Sequence, residues 1–168
     1  LKTAEQAPFC ALLLSEIFQQ ELPPGVLNVI SGLGEECGEP LVTHEKVRKV
    51  TFTGYFSVGK IIAEKAAPKL CPVTLELGGK NPNIIMSDAD LDIAIQGVID
   101  GMRYTRQGQA CTAGSRVYIQ EKIYDKVING AVEKLSKLKM GNALDEGSDI
   151  GAIISEEQLK RTLHYMDI

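Results

Sequence analysis

Two side chains in this sequence could drive bond-making or proton-transfer chemistry. Cys111 lies in Arg106-Gln-Gly108-Gln109-Ala-Cys111-Thr-Ala-Gly114, a run of small and polar residues after a long helical stretch. A loop thiol flanked by Ala, Thr and Gly leaves room for a substrate, and the thiolate is the nucleophilic form of cysteine. Loops held by rigid scaffolds are where catalytic groups concentrate. Taken singly, a cysteine is more often structural. Glu76 stands in Leu75-Glu76-Leu77-Gly78-Gly79-Lys80. A carboxylate between leucines at a strand end is unusual, and desolvation of such a group is one route to a general base. It could also lie on an exposed edge or pair with Lys80.

Two glycine-containing turns could receive a phosphate. Gly32-Leu-Gly34-Glu-Glu-Cys-Gly38 follows a strand candidate and comes near the G-x-G-x-x-G dinucleotide pattern, with its third Gly one residue late. In Phe52-Thr-Gly54-Tyr-Phe-Ser-Val-Gly59-Lys60 a strand ends, a Gly lets the backbone come close and a helix begins. That sets free N–H groups and the positive end of a helix where a phosphate could rest. Each turn could be plain chain reversal, but two within one βαβ stretch favour a nucleotide. Cys10, beside Phe9 and Leu12, reads as core filler, and Cys37 and Cys71 have no activating neighbours. No pair forms C-x-x-C, and His44 and His164 lack ligand-spaced partners, so no metal site is expected.

The elements that must position these groups follow from periodicity. Thr3 with Gln6 reads as a capping box opening a helix through Phe9, Leu13 and Ile17 to about Gln20, which Leu22-Pro-Pro-Gly25 ends. Strands are expected at Val26–Ile30, Val47–Thr53, Val73–Leu77, Ile84–Met86 and Val117–Ile119. Ser31–Gly34 turns into a short helix before His44. Val58, Ile61, Ile62 and Ala66 mark a helix closed by Pro68. Asp88 or Asp90 caps a helix with Leu91, Ala94, Ile95, Val98 and Met102 on its apolar side, and Tyr124 to Leu138 gives the clearest apolar stripe. After a Gly- and Asp-rich loop from Gly141 to Gly151, Ser155 with Gln158 opens a last helix. Strands alternating with helices predict an α/β fold with a mostly parallel sheet.

The chain has 168 residues and a net charge of −4, with 44% hydrophobic, 24% charged and 5% aromatic residues. This is globular α/β composition at about one domain's length. Lys and Arg never gather into a basic stripe, which excludes a broad grip on nucleic acid. The longest apolar runs, such as Ala11–Leu14, cannot cross a bilayer, so no membrane association is expected. Four scattered cysteines suggest a reducing compartment, the cytoplasm first and the mitochondrion second. The chain starts at Leu1 without Met and stops at Asp167-Ile168 inside what looks like a helix, as expected of a piece of a longer protein.

Taken together, these residues resemble the aldehyde dehydrogenase superfamily, NAD(P)-dependent enzymes that oxidise aldehydes to acids. Leu75-Glu-Leu-Gly-Gly-Lys-Asn-Pro82 is similar to the family's glutamate motif, and Gly108-Gln-Ala-Cys111 with Thr-Ala-Gly-Ser-Arg116 to its cysteine motif. The interval between Glu76 and Cys111 is close to the family's spacing. Lys2-Thr-Ala-Glu5 matches its K-x-x-E cofactor segment, and Pro24–Val29 and Phe52-Thr-Gly54 fall in the expected order. The likeness runs over essentially the whole chain.

The resemblance implies parallel Rossmann-like βαβ layers running into the start of a second α/β catalytic domain. Residues 1–77 would be the later part of the cofactor domain and 78–168 the start of the catalytic one. Cys111 would attack the aldehyde as thiolate, and Glu76 would activate the water that hydrolyses the resulting thioester. Lys2 and Glu5 would hold the adenosine ribose, Gly34 would approach the adenine side, and Gly54, Tyr55, Val58 and Gly59 would face the pyrophosphate. The Leu77 carbonyl would reach the nicotinamide amide. NAD is the expected cofactor, since Glu5 would repel a 2′-phosphate, with NADP left open by Lys2. The implied partners are a small aldehyde and, in the parent enzyme, further copies as a dimer or tetramer. Tyr55 stands where the family usually has Ser. The family's oxyanion Asn and nicotinamide-ribose Glu lie outside the chain, so residues 1–168 alone are expected to be inactive. The competing reading is a silent, dehydrogenase-derived binding or structural protein, for which Tyr55-Phe56 would be the mark. A thiol-dependent acyl-transferring enzyme is disfavoured by Lys2 and Glu5.

Overall fold

Along β1 (Val50–Gly54) and β2 (Val73–Leu77) apolar and polar residues alternate, and in a strand that alternation sends them to opposite faces. In the computed structural model, which describes residues 1–168, these strands pair in parallel, with Val50 opposite Val73 and Gly54 opposite Leu77. Helix α3 (Phe56–Ala66) connects them as a βαβ crossover. Its Gly59 is buried, and a Cβ placed there would stand 2.7 Å from Leu77 Cδ2. The missing side chain is what lets α3 close on β2. Val50, Phe52, Val73, Leu75 and Leu77 are half-buried, while Thr51, Thr53, Thr74 and Glu76 face outward, exposed. A 3-10 turn, Ala67–Lys69, carries Pro68 and ends α3; Leu70 follows in the left-handed region.

Helix α1 (Phe9–Glu21) precedes this unit's sheet. Its start differs from expectation. No side chain caps it, and Thr3 is buried, its N–H donating to Ile30 O at 3.0 Å and its hydroxyl to Ser31 Oγ at 3.3 Å. A parallel bridge between Lys2 and Ile30 outcompetes the capping box. The same bridge is all that forms of the expected Val26–Ile30 strand. Cys10 is exposed, not core filler, because Phe9, Leu13, Leu14, Ile17 and Phe18 also lie on uncovered faces of α1. A π-turn, Gly34–Gly38, runs into α2 (Glu39–Thr43).

The chain divides into two compact units, Leu1–Leu77 and Gly78–Ile168. In the second, β3 (Pro82–Ile85) and β4 (Arg116–Ile119) pair in parallel, Pro82 opposite Arg116 and Ile85 opposite Ile119. Helix α4 (Leu91–Met102) is capped by Asp90, whose carboxylate accepts from the N–H groups of Asp92 and Ile93. It packs on α5 (Tyr124–Leu135) around Ile85, Val98, Ile123, Val127 and Ala131, and Val127 is fully buried. α5 ends three residues short of Leu138. Helix α6 (Glu156–Met166) is capped by Ser155 through Gln158 N–H, and it closes at Met166 before Asp167. No helix is long and apolar enough to cross a membrane.

Candidate functional site

The Lys2–Ile30 bridge brings the amino end of the first unit alongside the 32–38 turn. Lys2 Nζ donates to Glu5 Oε1, and the Lys2 stem passes over Gly38. The ammonium of Lys2 and then the backbone amide of Glu5 hold the Glu5 carboxyl below the ordinary carboxylate range; burial opposes them, and the Gly34 amide adds a lesser lowering. Glu5 is therefore anionic at neutral pH. Lys2 and Glu5, expected at the adenosine ribose, and Gly34, expected at the adenine side, form one cluster.

A second group gathers where β1 ends and α3 begins. Tyr55 is the N-cap of α3, with extended backbone and no side-chain capping bond. The N–H groups of Phe56, Ser57 and Val58 find no acceptor in the chain, as the first turn of a helix leaves them. The N–H of Gly59 is already committed to Tyr55 O at 3.0 Å. Val58 thus presents a donor, whereas Gly59 serves helix–strand packing, the task assigned to the last glycine of dinucleotide fingerprints. Gly54 lies opposite Leu77, and the Phe52 ring occupies the space a Gly54 side chain would need. Gly54, Tyr55, Val58 and Leu77 lie at the carboxyl end of a parallel strand pair, the edge at which open α/β sheets bind ligands.

Glu76 belongs to the outward face of β2, beside Thr53 of β1, and is exposed. Its flanking leucines point the other way, so it is solvated, not wrapped by them. Nor does it pair with Lys80, whose Nζ reaches Gly79 O at 3.3 Å.

In the second unit, α4 ends at Arg103, which is left-handed, and Gln107 and Gly108 are left-handed as well. Three such residues fold 103–110 into tight turns ahead of Cys111. The loop returns to the fold at Ala113 and Gly114, both buried, where Gly114 N–H donates to Gly101 O at 2.8 Å. Cys111 and Thr112 remain exposed. Neither of their N–H groups finds an acceptor in the chain. Asn81 Nδ2 donates to Cys111 O at 2.8 Å and to Ala113 O at 3.2 Å, and Arg116 Nε donates to Lys80 O at 2.8 Å. The last residues of the glutamate motif and those of the cysteine motif are therefore laced together. Sequence reasoning passed over Asn81 and Arg116. Both lie inside the quoted motifs, but nothing about an Asn before a Pro signals a long-range bond.

The family model described as "Aldehyde dehydrogenase family" matches residues 1–168, and the chain belongs to that family. Among curated relatives, an aldehyde dehydrogenase of Deinococcus radiodurans is 45% identical over all of this chain and 33% of its own length. Acetaldehyde dehydrogenase 2 of Cupriavidus necator is 44% identical, again over all of this chain and 34% of its own length. Among solved structures, HpcC of Thermus thermophilus matches 99% of the chain and 32% of its own, with a TM-score of 0.94 at 40% identity. Betaine aldehyde dehydrogenase of Staphylococcus aureus, solved with NAD+, matches with a TM-score of 0.94 at 38% identity, over 99% of this chain and 33% of its own. The chain thus spans about a third of the length of these relatives.

Proposed function

We propose that a full-length protein containing this chain oxidises an aldehyde to a carboxylic acid with NAD(P) as hydride acceptor. Residues 1–77 would supply the later part of its cofactor domain and 78–168 the start of its catalytic domain. The observation that carries this reading is Cys111: an exposed thiol on a loop pinned from Asn81, with two unengaged N–H groups beside it. The exposed face of β2 and the uncovered Phe9, Leu13 and Ile17 of α1 are surfaces that a protein of the relatives' length has chain to cover.

The residues of the first unit fit a dinucleotide. The open donors at Phe56, Ser57 and Val58 suit a pyrophosphate, which the α3 dipole would favour. Backbone donors serve there whatever stands at the N-cap, so Tyr55 does not forbid the contact. The Lys2–Glu5–Gly34 cluster presents an anionic carboxylate for a ribose hydroxyl, and that charge opposes a 2′-phosphate and favours NAD. Bound there, the nicotinamide ring would accept the hydride.

Cys111, as thiolate, attacks the aldehyde carbon. A C–S bond forms and the carbonyl oxygen becomes an oxyanion. The N–H groups of Cys111 and Thr112 stand next to that sulfur as donors for the developing charge. Loss of hydride from the carbon leaves a thioester on Cys111. Glu76 takes a proton from water, the hydroxide adds to the thioester, and the C–S bond breaks to return the thiolate and release the acid.

The test is Cys111→Ala in the full-length enzyme. Aldehyde-dependent NADH formation should vanish while NAD affinity stays near wild type. Turnover within about tenfold of wild type, a barrier change of only ~1.4 kcal/mol, would exclude Cys111 as nucleophile.

A further inference from the structure

We infer that Asn81 is the positioning residue of the Cys111 loop, its carboxamide holding two loop carbonyls so that the thiol keeps one orientation. The inference rests on the reading of Cys111 as nucleophile. A side-chain amide has two N–H bonds, and here each has its own acceptor, Cys111 O at 2.8 Å and Ala113 O at 3.2 Å. These carbonyls flank Thr112, so one group closes the bend that exposes Cys111. The residue that holds is itself held. Lys80 O accepts from Arg116 Nε at 2.8 Å, and Asn81 O accepts from Arg116 N–H at 3.3 Å. On the far side the loop is fixed by Ala113 N–H on Ala110 O and Gly114 N–H on Gly101 O.

Three features point to orientation of the thiol as the task, beyond stability of the unit. Asn81 is exposed, so water can reach its amide in place of the loop carbonyls. The buried apolar cluster of the unit is Ile85, Val98, Ile123, Val127 and Ala131, and the exposed, polar Asn81 is no member of it. The restrained peptide is that of Cys111 itself, and turning its carbonyl also turns the Thr112 N–H that shares the peptide plane. Misplacing a reacting group by about 1 Å can cost on the order of 10²-fold in rate.

The experiment uses the full-length enzyme with Asn81→Ala, Asn81→Ser and Asn81→Asp. Asn81→Ala should lower kcat by about 10²-fold while NAD affinity and the melting temperature stay near wild type. The rate of Cys111 alkylation by iodoacetamide should shift across its pH profile. Asn81→Ser, which retains a donor, should recover most of kcat. Asn81→Asp, which sets a carboxylate against two carbonyls, should not. A wild-type kcat and alkylation profile in Asn81→Ala overturns the inference, as does a loss of kcat that follows a falling melting temperature and is not repaired by Asn81→Ser. Should Asn81→Ala fail to fold, the Ser and Asp variants carry the test, and equal activity in the two overturns it. Cys111→Ser is assayed in parallel. If it turns over like wild type, the nucleophile reading has failed; if it is inactive while Asn81→Ala is normal, only the role of Asn81 has.

Discussion

The two βαβ pieces of this chain, β1–α3–β2 and β3–α4–β4, share a plan and differ in what holds them. The second is sealed by α5. Its strands and helices meet over Ile85, Val98, Ile123, Val127 and Ala131, with Leu91, Ala94, Ile95 and Ile119 packed around them. The unit that contains the first, Leu1–Leu77, buries only Val42 and Ala66 among its apolar side chains, and leaves one face of the strand pair exposed. Its defined contacts are polar and at the margins: Lys2 with Glu5, Lys65 with Glu39 at 2.6 Å, Lys69 with His44 O at 2.6 Å. Parallel sheets are ordinarily covered on both faces. One face of the first piece's strand pair is thus left for further chain to cover, whereas the second piece closes around its own core.

Perturbations should separate accordingly. The largest expected effect is kinetic and falls on the lightly packed piece. In the full-length enzyme, Glu76→Gln keeps the shape but takes no proton, so steady turnover should drop by about 10²–10⁴-fold after an initial burst of NADH. Steady turnover at the wild-type rate would assign the base to another group. Next is a loss of stability in the sealed piece. Val127→Ala removes two buried methyl groups and should cost about 1.5–3 kcal/mol in denaturant unfolding, with NAD affinity little changed. A third change should reverse that pattern. Gly59→Val drives a side chain into Leu77 and should cost about 1–3 kcal/mol, and here NAD affinity should fall as well, because α3 carries the open donors. Calorimetry that finds the cofactor bound as tightly as before would break the link between Gly59 packing and the cradle.

The smallest effect concerns pH. The folded-state pKa of Glu5 is depressed by Lys2 and the neighbouring amides, so its contribution is complete above the unfolded value near 4.5. That contribution is lost as pH falls below 4.5 through the lower folded-state pKa. Glu5 is largely solvent-exposed, so the stability change is small. Melting curves of wild type and Glu5→Gln, offset at neutral pH and converging below pH 4.5, would show it; parallel curves would refute it.

Periodicity and capping chemistry made much of this fold legible. Val73–Leu77 is a strand at the residues expected, and Asp90 and Ser155 cap the helices their side chains suggest. These succeed because cause and effect lie within four residues of each other. Thr3 fails for the opposite reason: a bond to Ile30, far along the chain, takes the N–H that local chemistry would have assigned to a helix start. Cys10 fails because the composition of a helix face says it is apolar but not what covers it. The site divides the same way. The Glu76 and Cys111 motifs are readable as strings of residue types. That Lys2, Glu5 and Gly34 touch, and that Asn81 reaches across to Cys111 O, are matters of tertiary approach, which no spacing encodes.

The absent side chain at Gly59 also constrains how this sequence can drift. With a Cβ there only 2.7 Å from Leu77 Cδ2, position 59 can gain a methyl group if position 77 gives one up. Gly59→Ala and Leu77→Val are each awkward, the first by crowding and the second by leaving a gap. Made together, they exchange volume across one contact and should cost less than their sum. In the descent of this chain the two positions are expected to change as a pair.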